Sequence, residues 1–456
     1  MAKILPGVHP PQRKNTSDTE TKVMPVPQTV AIPMSQHMGG PCDVLVKPRD
    51  IVKVGQLIGD SEALFTAPIY SSVSGQVLKI EDIVMPDGTR SPAVIIQTDG
   101  EQELHPGIAP PKVESFEDFV AAVRASGVVG LGGAGLPAYM KMNSRGRGGP
   151  VDTLIINGAE CEPYITTDDR EMVECGQDII DGTLTVMKYL NIPDGVIAIE
   201  DNKPQAIAEM TRLCEPHANL RVVPLKAQYP QGAKSVIVHS ALGRVVPEGK
   251  STTFVGALLS NVTSTAAVAR YLRTGMPLLS RRVTVDGGCI AQPANVVAPI
   301  GTAFKDVIEF CGGYEKPARK VIMGGPMMGT AVATDTFPVV KITNAILALD
   351  ESQVSDYDEA ACIRCGKCMR ACPFSLMPMR IEDAYERGDL EGLKKYHVNA
   401  CMECGCCAYV CPARRHLVNT NRLAKAQLKA ALRAEKAAAK AAEEAAKLES
   451  SAAQAQ

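Results

Sequence analysis

The sequence predicts a multidomain chain of mixed α/β and α+β architecture, on three observations. Residues 30 to 80 hold short β-prone stretches broken by turn signals, residues 153 to 225 alternate strand-like and helix-like stretches, and residues 362 to 411 carry two identically spaced cysteine runs. At 456 residues the chain is too long for one hydrophobic core, because domains run to ~100 to 200 residues.

Composition removes several classes of function. Apolar residues make up 45% and charged residues 21%, the balance of an ordinary soluble protein. Lys plus Arg (48) offset Asp plus Glu (50), so no nucleic-acid partner is expected. Met1 to Asp50 has no apolar core of a secretory signal. The uncharged stretch Ser251 to Ala269 is interrupted by Ser260, Asn261, Thr263, Ser264 and Thr265. It falls short of the roughly 20 apolar residues that a membrane span needs, so no direct transmembrane segment is expected and membrane association must come through partners. Fifteen cysteines in so long a chain, eight of them in metal-ligand spacing, fit a reducing cytoplasmic location better than a disulfide scaffold.

The first domain, residues 1–110, reads as β. Turns at Lys47-Pro48-Arg49-Asp50, Gly55, Gly59 and Ser74-Gly75 separate segments that look like the two halves of a lipoyl-type barrel sandwich. The second, residues 111–275, opens with a capping box, Ser115 with Asp118. Phe116, Phe119, Val120 and Val123 keep helical spacing up to a stop at Gly127. Strands at 153–156, 196–199 and 220–225, with helices from about Arg170 and Pro204 between them, predict a parallel sheet with covering helices. A third small domain, residues 280–345, returns to β from Arg282 and holds a short helix ending at Cys311-Gly312-Gly313. Residues 350–420 hold the cysteines. The tail, residues 421–456, is rich in Ala, Lys and Glu and reads as a solvated or frayed helix, or disordered chain, without a coiled-coil seam.

Cys362, Cys365, Cys368 and Cys372-Pro373 form a C-x2-C-x2-C-x3-C-P run, and Cys401, Cys404, Cys407 and Cys411-Pro412 form a second. That spacing is the bacterial ferredoxin pattern for two [4Fe-4S] clusters. Three thiolates come from one tight loop and the fourth is the last cysteine of the other run. One cluster is therefore expected on Cys362, Cys365, Cys368 and Cys411, and the other on Cys401, Cys404, Cys407 and Cys372. Structural zinc would use pairs of C-x2-C instead. Cys406 is out of register and reads as a buried non-ligand thiol, and the remaining single cysteines read as core.

Gly130-Leu131-Gly132-Gly133-Ala134-Gly135 matches G-x-G-x-x-G, but a helix precedes it and Pro137 follows, which is the wrong context for a Rossmann fingerprint. Its backbone N–H groups could approach a flat cofactor and its phosphate, with Lys141 supplying positive charge. A flavin suits such a site, because a hydride carries two electrons and a cluster accepts one. Lys141 also lies in Met140-Lys141-Met142, the form of a biotin attachment tripeptide, yet far downstream of the β domain whose hairpin would have to present it. His37 has no paired acid or nucleophile in sequence and reads as structural.

Six motifs together carry a resemblance. They are Ile32 to Gly39 (IPMSQHMG), Gly130 to Pro137, Asn157 to Tyr164 (NGAECEPY), Tyr229 to Gly232 (YPQG), Gly324 to Gly329 (GGPMMG) and the cysteine runs. In this order the sequence resembles the RnfC family of the Rnf complex, a membrane-associated ferredoxin:NAD oxidoreductase, over about residues 1 to 415. Its middle region is similar to the flavin-bearing NADH subunit of respiratory complex I. The resemblance implies a Rossmann-like flavin domain with non-covalent FMN near Gly130, Gly132, Gly133, Gly135, Lys141, Asn157 and Asn261. It implies NAD(H) as substrate beside Glu160 and Glu162 as the catalytic acids, and a β-grasp (SLBB) domain near 282–330. Leu136 and Tyr139 depart from the complex I pattern, which has Phe and Gly there.

The implied function is that of a peripheral NADH-linked oxidoreductase subunit, placed at the cytoplasmic face of the cell membrane. It would pass electrons between NAD(H), FMN, two clusters and the membrane-embedded and iron–sulfur subunits of an ion-transporting complex. The rival readings are a flavin and iron–sulfur corrin reductase of a microcompartment, or a non-enzymatic electron relay.

Overall fold

Strand and helix signals resolve into two units in the computed structural model, which describes residues 4–143, 149–354 and 358–454. One unit is built on His9–Asp356 and the other on Tyr357–Gln456 with Leu5–Val8.

In the larger unit, Thr29–Pro33, Arg90–Thr98, Gly75–Val84 and Ile51–Val52 form an antiparallel sheet. A smaller sheet of Asp43–Val44, Leu57–Asp60 and Ile69–Tyr70 accompanies it. Alternate residues of these strands (Val30, Ile32, Ile58, Val77, Val94, Ile96) point into one core, as a period of two requires. This is the barrel sandwich.

The next sheet is wholly parallel, in the order Leu220–Leu225, Asp194–Glu200, Thr153–Gly158, Ala257–Asn261. Thr153–Gly158 is almost entirely buried because both faces are covered. Leu154 and Ile156 face helices Phe116–Ala125, Gly176–Leu190 and Val262–Thr274, while Ile155 faces Lys234–Leu242. The expected capping box at Ser115 and Asp118 is present. The helix expected from Arg170 to Leu190 is two, Thr167–Glu174 and Gly176–Leu190, broken at Cys175. Gly182 lets the second of these lie against Val262–Thr274, because a Cβ there would come 2.4 Å from the Thr265 carbonyl oxygen. The chain runs outward from Thr153–Gly158 to Leu220–Leu225 and returns to the opposite side at Ala257–Asn261. The C-terminal ends of the adjacent strands Thr153–Gly158 and Ala257–Asn261 therefore form a topological switch point, where open α/β sheets bind ligands.

A six-stranded mixed sheet follows, with Ser280–Asp286 and Ala345–Leu349 at its centre and Phe304–Phe310 packed on it. Its edge strand is Lys22–Val23, paired in parallel with Ala294–Pro299, so the N-terminal segment joins this β-grasp sheet.

The smaller unit holds short helices and the long helix Leu417–Gln454 around Ile381, Leu393, Val398, Ala424 and Leu428. The tail is helical, as its composition requires. The two cysteine runs fold alike. Gly366 and Gly405 take left-handed conformations to start the short helices Lys367–Arg370 and Cys406–Tyr409, and Arg364 and Glu403 are left-handed at matching places. Among the described residues no helix is long and apolar enough to cross a membrane.

Candidate functional site

Two cavities lie in the smaller unit. Cys362, Cys365, Cys368 and Cys411 line one, and Cys372, Cys401, Cys404 and Cys407 line the other. The last cysteine of each run thus stands with the first three of its neighbour. Each cavity encloses some 350 to 370 Å³ of atom-free space, solvent-open part included. Among the described residues no three Cys, His, Asp or Glu side chains converge tightly enough for one metal ion. Zinc would draw four thiolates to about 2.3 Å from a single centre, whereas a cube gives each thiolate its own iron. The donor set and its spread fit a [4Fe-4S] cluster in each cavity.

The two sites differ in exposure and in hydrogen bonding. Cys362 and Cys365 are exposed, whereas Cys404 and Cys407 are buried. The Cys401 sulfur accepts from the Glu403 N–H and from Asn421 Nδ2, both at 3.4 Å. Cys406 is buried and lines the second cavity beside four other cysteines.

At the switch point of the parallel sheet, the glycine-rich segment closes on itself. Gly130 N–H donates to Leu136 O at 2.8 Å, Gly135 N–H donates to Gly130 O at 3.1 Å, and Val129 bridges Pro137. The tip, Gly132 to Ala134, is exposed. Gly133 is left-handed with nothing near its missing Cβ, and a Cβ on Gly132 would lie 3.2 Å from Asn261 Nδ2. Asn261 caps helix Val262–Thr274 by accepting from the Ser264 N–H. Its amide also donates to Asp168 at 2.7 Å. Ser264 ties the same helix to the glycine segment, accepting from Leu131 N–H and donating to Val129 O.

Lys141 lies on the short helix Ala138–Met142, not on a β hairpin. Burial and the neighbouring Lys234 pull its pKa down to about 8. Lys234 opens helix Lys234–Leu242, where the helix dipole is already positive. The exposed glycine tip beside Asn261, at the end of a switch-point strand, fits the approach of a flat ligand such as FMN, and Lys141 and Lys234, near each other, could balance its phosphate.

Asn157 is the last residue but one of strand Thr153–Gly158. It donates to Gly232 O and accepts from the Ala159 N–H. The next two acids are engaged with backbone donors. Glu160, left-handed at φ 48, accepts from the N–H groups of Asp168 and Asp169 and so caps helix Thr167–Glu174. Glu162 accepts from the N–H groups of Met327 and Met328, in the GGPMMG loop of the β-grasp. Desolvation raises the pKa of Glu160 to about 8 and of Glu162 to about 7. His37 is buried, and burial pushes its pKa down to about 4, which keeps it neutral.

Family models divide the chain along these same lines. Residues 2–101 match the RnfC barrel sandwich hybrid domain and 123–270 match the Nuo51 FMN-binding domain. Residues 282–331 match the SLBB domain and 356–412 the 4Fe-4S dicluster domain. The C subunit of the proton-translocating ferredoxin:NAD(+) oxidoreductase complex of Clostridium ljungdahlii is 40% identical over 93% of this chain and 94% of its own length. The chain belongs to the RnfC family, the C subunits of ion-translocating oxidoreductase complexes.

Two more members of the family are similar. The C subunit of the ion-translocating oxidoreductase complex of Rhodobacter capsulatus is 40% identical over 93% of this chain and 83% of its own. The C subunit of the Na(+)-translocating ferredoxin:NAD(+) oxidoreductase complex of Acetobacterium woodii is 37% identical over 94% and 97%. The chain therefore carries an FMN-binding domain and a two-cluster domain, and it is part of a complex of several subunits.

Several residues of the crevice were not picked out from sequence. Asp168 is buried and accepts from Asn261 and from Thr263 Oγ1 at 2.7 Å. Arg281, from the β-grasp sheet, donates to Leu131 O at 3.0 Å within the glycine segment. Lys341, 1% exposed, donates to Pro68 O and Gly127 O. None lies in a motif, because neither a buried acid nor a cation that grips a carbonyl requires a sequence pattern around it. Lys234, close behind Tyr229 to Gly232, had one weak signal: an exposed lysine at the first position of a helix meets the positive end of the dipole, a small cost that a bound anion would remove.

Proposed function

We propose that the chain is a peripheral electron-transfer subunit that takes or delivers hydride at NAD(H) and exchanges single electrons with partner subunits through two clusters. One observation carries this reading: a single chain holds both a phosphate-ready crevice at a sheet switch point and two four-cysteine cavities. FMN, when bound, supplies the conversion between a two-electron hydride and one-electron carriers.

The chain's own residues do the rest. Gly130, Gly132, Gly133 and Gly135 let the backbone approach the ring and phosphate without side-chain hindrance. Lys141 and Lys234 neutralise the phosphate, while Asn157 and Asn261 orient polar edges. Glu160 and Glu162 shape the nicotinamide side by fixing the loop between strand and helix, each held by backbone N–H groups. Cys362, Cys365, Cys368 and Cys411 hold one cluster, and Cys401, Cys404, Cys407 and Cys372 the other. The partners are membrane-embedded and iron–sulfur subunits of the complex, met at the cytoplasmic face of the membrane. The domains proposed are 1–110, 111–275, 280–345, 350–420 and a tail from 421.

Anaerobic purification with quantitation of iron, sulfide and FMN tests the reading, followed by addition of NADH. Flavin bleaching and cluster reduction are expected. Protein that holds iron but neither binds FMN nor responds to NADH would reduce the chain to a relay.

A further inference from the structure

The N-terminal segment from Gln12 to Thr21 runs over the loop that follows the central strand. It is pinned at several places. Gln12 O accepts from the Tyr164 N–H at 2.9 Å. Asn15 donates to both oxygens of Asp286. Thr16 O accepts from Asn295, and Ser17 O from Arg170. At its centre the ammonium of Lys14 donates to three carbonyl oxygens, Glu160 and Glu162 at 2.8 Å and Ile165 at 2.6 Å.

A second ammonium works on the same loop. Lys203, 3% exposed, donates to Ala159 O at 2.7 Å and pairs with Glu200 at 3.3 Å. Four carbonyls between Ala159 and Ile165 are thus drawn to two lysines. Peptides so turned leave few backbone conformations. Glu160 and Tyr164, neither of them glycine, sit at φ 48 and 69 within this span, a conformation that costs free energy unless contacts impose it. Three carbonyls converging on one charge form a cage of the kind that binds a cation, and here the chain supplies its own. Glu200 pairs with Lys203, so that ammonium is balanced within the sheet domain itself.

We propose that Lys14 is a positioning residue for the flavin and nicotinamide site. It sets the conformation of the Asn157 to Ile165 loop from some 150 residues away in sequence, as the hydrogen bonds span it. This rests on the FMN reading given above. Lys203 is packed into the sheet domain itself, whereas Lys14 arrives on a segment that leads into an edge strand of the β-grasp. The loop that frames the cofactor is thus completed by the N-terminal segment, and removing Lys14 relaxes the loop while the sheet beneath it stays folded.

The test uses the full chain with its clusters intact and three variants. Flavin is removed and rebound, and FMN affinity is read by quenching of its fluorescence. The thermal midpoint and iron content are read in parallel, and the NADH KM is separated from kcat. Lys14→Met is expected to weaken FMN binding and raise KM roughly tenfold or more, the effect of one lost charge-assisted hydrogen bond, at unchanged iron content. Lys14→Arg, charged but unable to converge on three carbonyls, is expected to fall between Lys14→Met and the parent. Asn15→Ala loosens the same segment at Asp286 and is expected to lower the midpoint without changing FMN affinity.

Parent-like FMN affinity in Lys14→Met overturns the proposal. So does an Asn15→Ala variant that loses FMN as Lys14→Met does, since the segment would then matter only as a brace. If Lys14→Met does not fold, Lys14→Arg decides: weakened FMN binding at a parent-like midpoint supports the role, and parent-like binding overturns it. A parent chain that binds no FMN overturns the flavin reading itself, and the proposal with it.

Discussion

The cysteine cavities and the flavin crevice are built in opposite ways. Each cavity is lined by three cysteines from one turn of chain and a fourth from the matching run, with both runs inside residues 362 to 411. The glycine segment and the loop after the central strand are held by Lys14, Asn157, Asp168, Asn261 and Arg281, which only the tertiary fold brings near one another. Ligands that bond to a metal must be specific residues at short spacing, so their pattern survives in the sequence. A crevice bounded by backbone can be stapled by any cation that reaches a carbonyl.

The largest effect is expected for Cys411→Ser. The thiol belongs in sequence to the second run but stands in the cavity of Cys362, Cys365 and Cys368. The expected outcome is loss of up to half the iron, with the missing electron paramagnetic resonance signal being that of the more exposed cluster. Loss of the other cluster would show that each run serves its own cube, and the fourth-ligand exchange would be wrong.

Gly132→Val tests the crevice at its tip. The new Cβ would meet Asn261 at 3.2 Å, and its branches would push that amide away from Asp168. FMN affinity is expected to fall at least about tenfold, the scale of losing one hydrogen bond to a charged group, with iron content unchanged. Equilibrium titration with FMN measures this. A change in both iron and flavin would show that the two regions are less independent than their construction implies.

These two tests also mark how far the sequence could be read. The cysteine runs, the barrel sandwich, the parallel sheet and the capping box at Ser115 were legible, because spacing, turns and periodicity act locally. The break at Cys175 was not. Periodicity continues through it, and a Cβ on the next residue, Gly176, would already lie 2.7 Å from Leu213 of a neighbouring helix. The pairing of Lys22–Val23 with Ala294–Pro299 was equally hidden, since an edge strand of two residues carries no period. Glu160 and Glu162 were recognisable as a motif, but not as a helix cap and a loop clasp.

Glu162 offers a smaller effect with a defined sign. Desolvation lifts its pKa from 4.5 to about 7, against the pull of the Met327 and Met328 N–H groups. The folded state then holds more protons than the unfolded state between those values, so this group's contribution to stability is complete below about 4.5 and is lost as pH rises through about 7. Glu162→Gln cannot titrate. Its unfolding midpoint in urea is expected to vary less across that window than the parent's, with Glu160, raised to about 8, keeping part of the slope. An unchanged pH profile would mean that the clasp does not sense pH.

The smallest effect is expected inside the more legible region, at Cys406. It lies at the wall of the second cavity and is 1% exposed, so position alone would make it a fifth ligand. Spacing argues otherwise: Cys404 and Cys407 keep the same offsets from Cys401 as Cys365 and Cys368 keep from Cys362, and Cys406 has no counterpart in the first run, where Lys367 stands. Both residues open the short helix that follows a left-handed glycine, and a lysine there leaves the first cavity's donor set complete. Cys406→Ala should therefore keep full iron at both sites and lose about 1 kcal/mol of stability or less, the scale of a small buried truncation. Cys407→Ala, one residue on, should lose a cluster, and equal iron loss in the two variants would show that burial beside a cube, not register, selects the ligand.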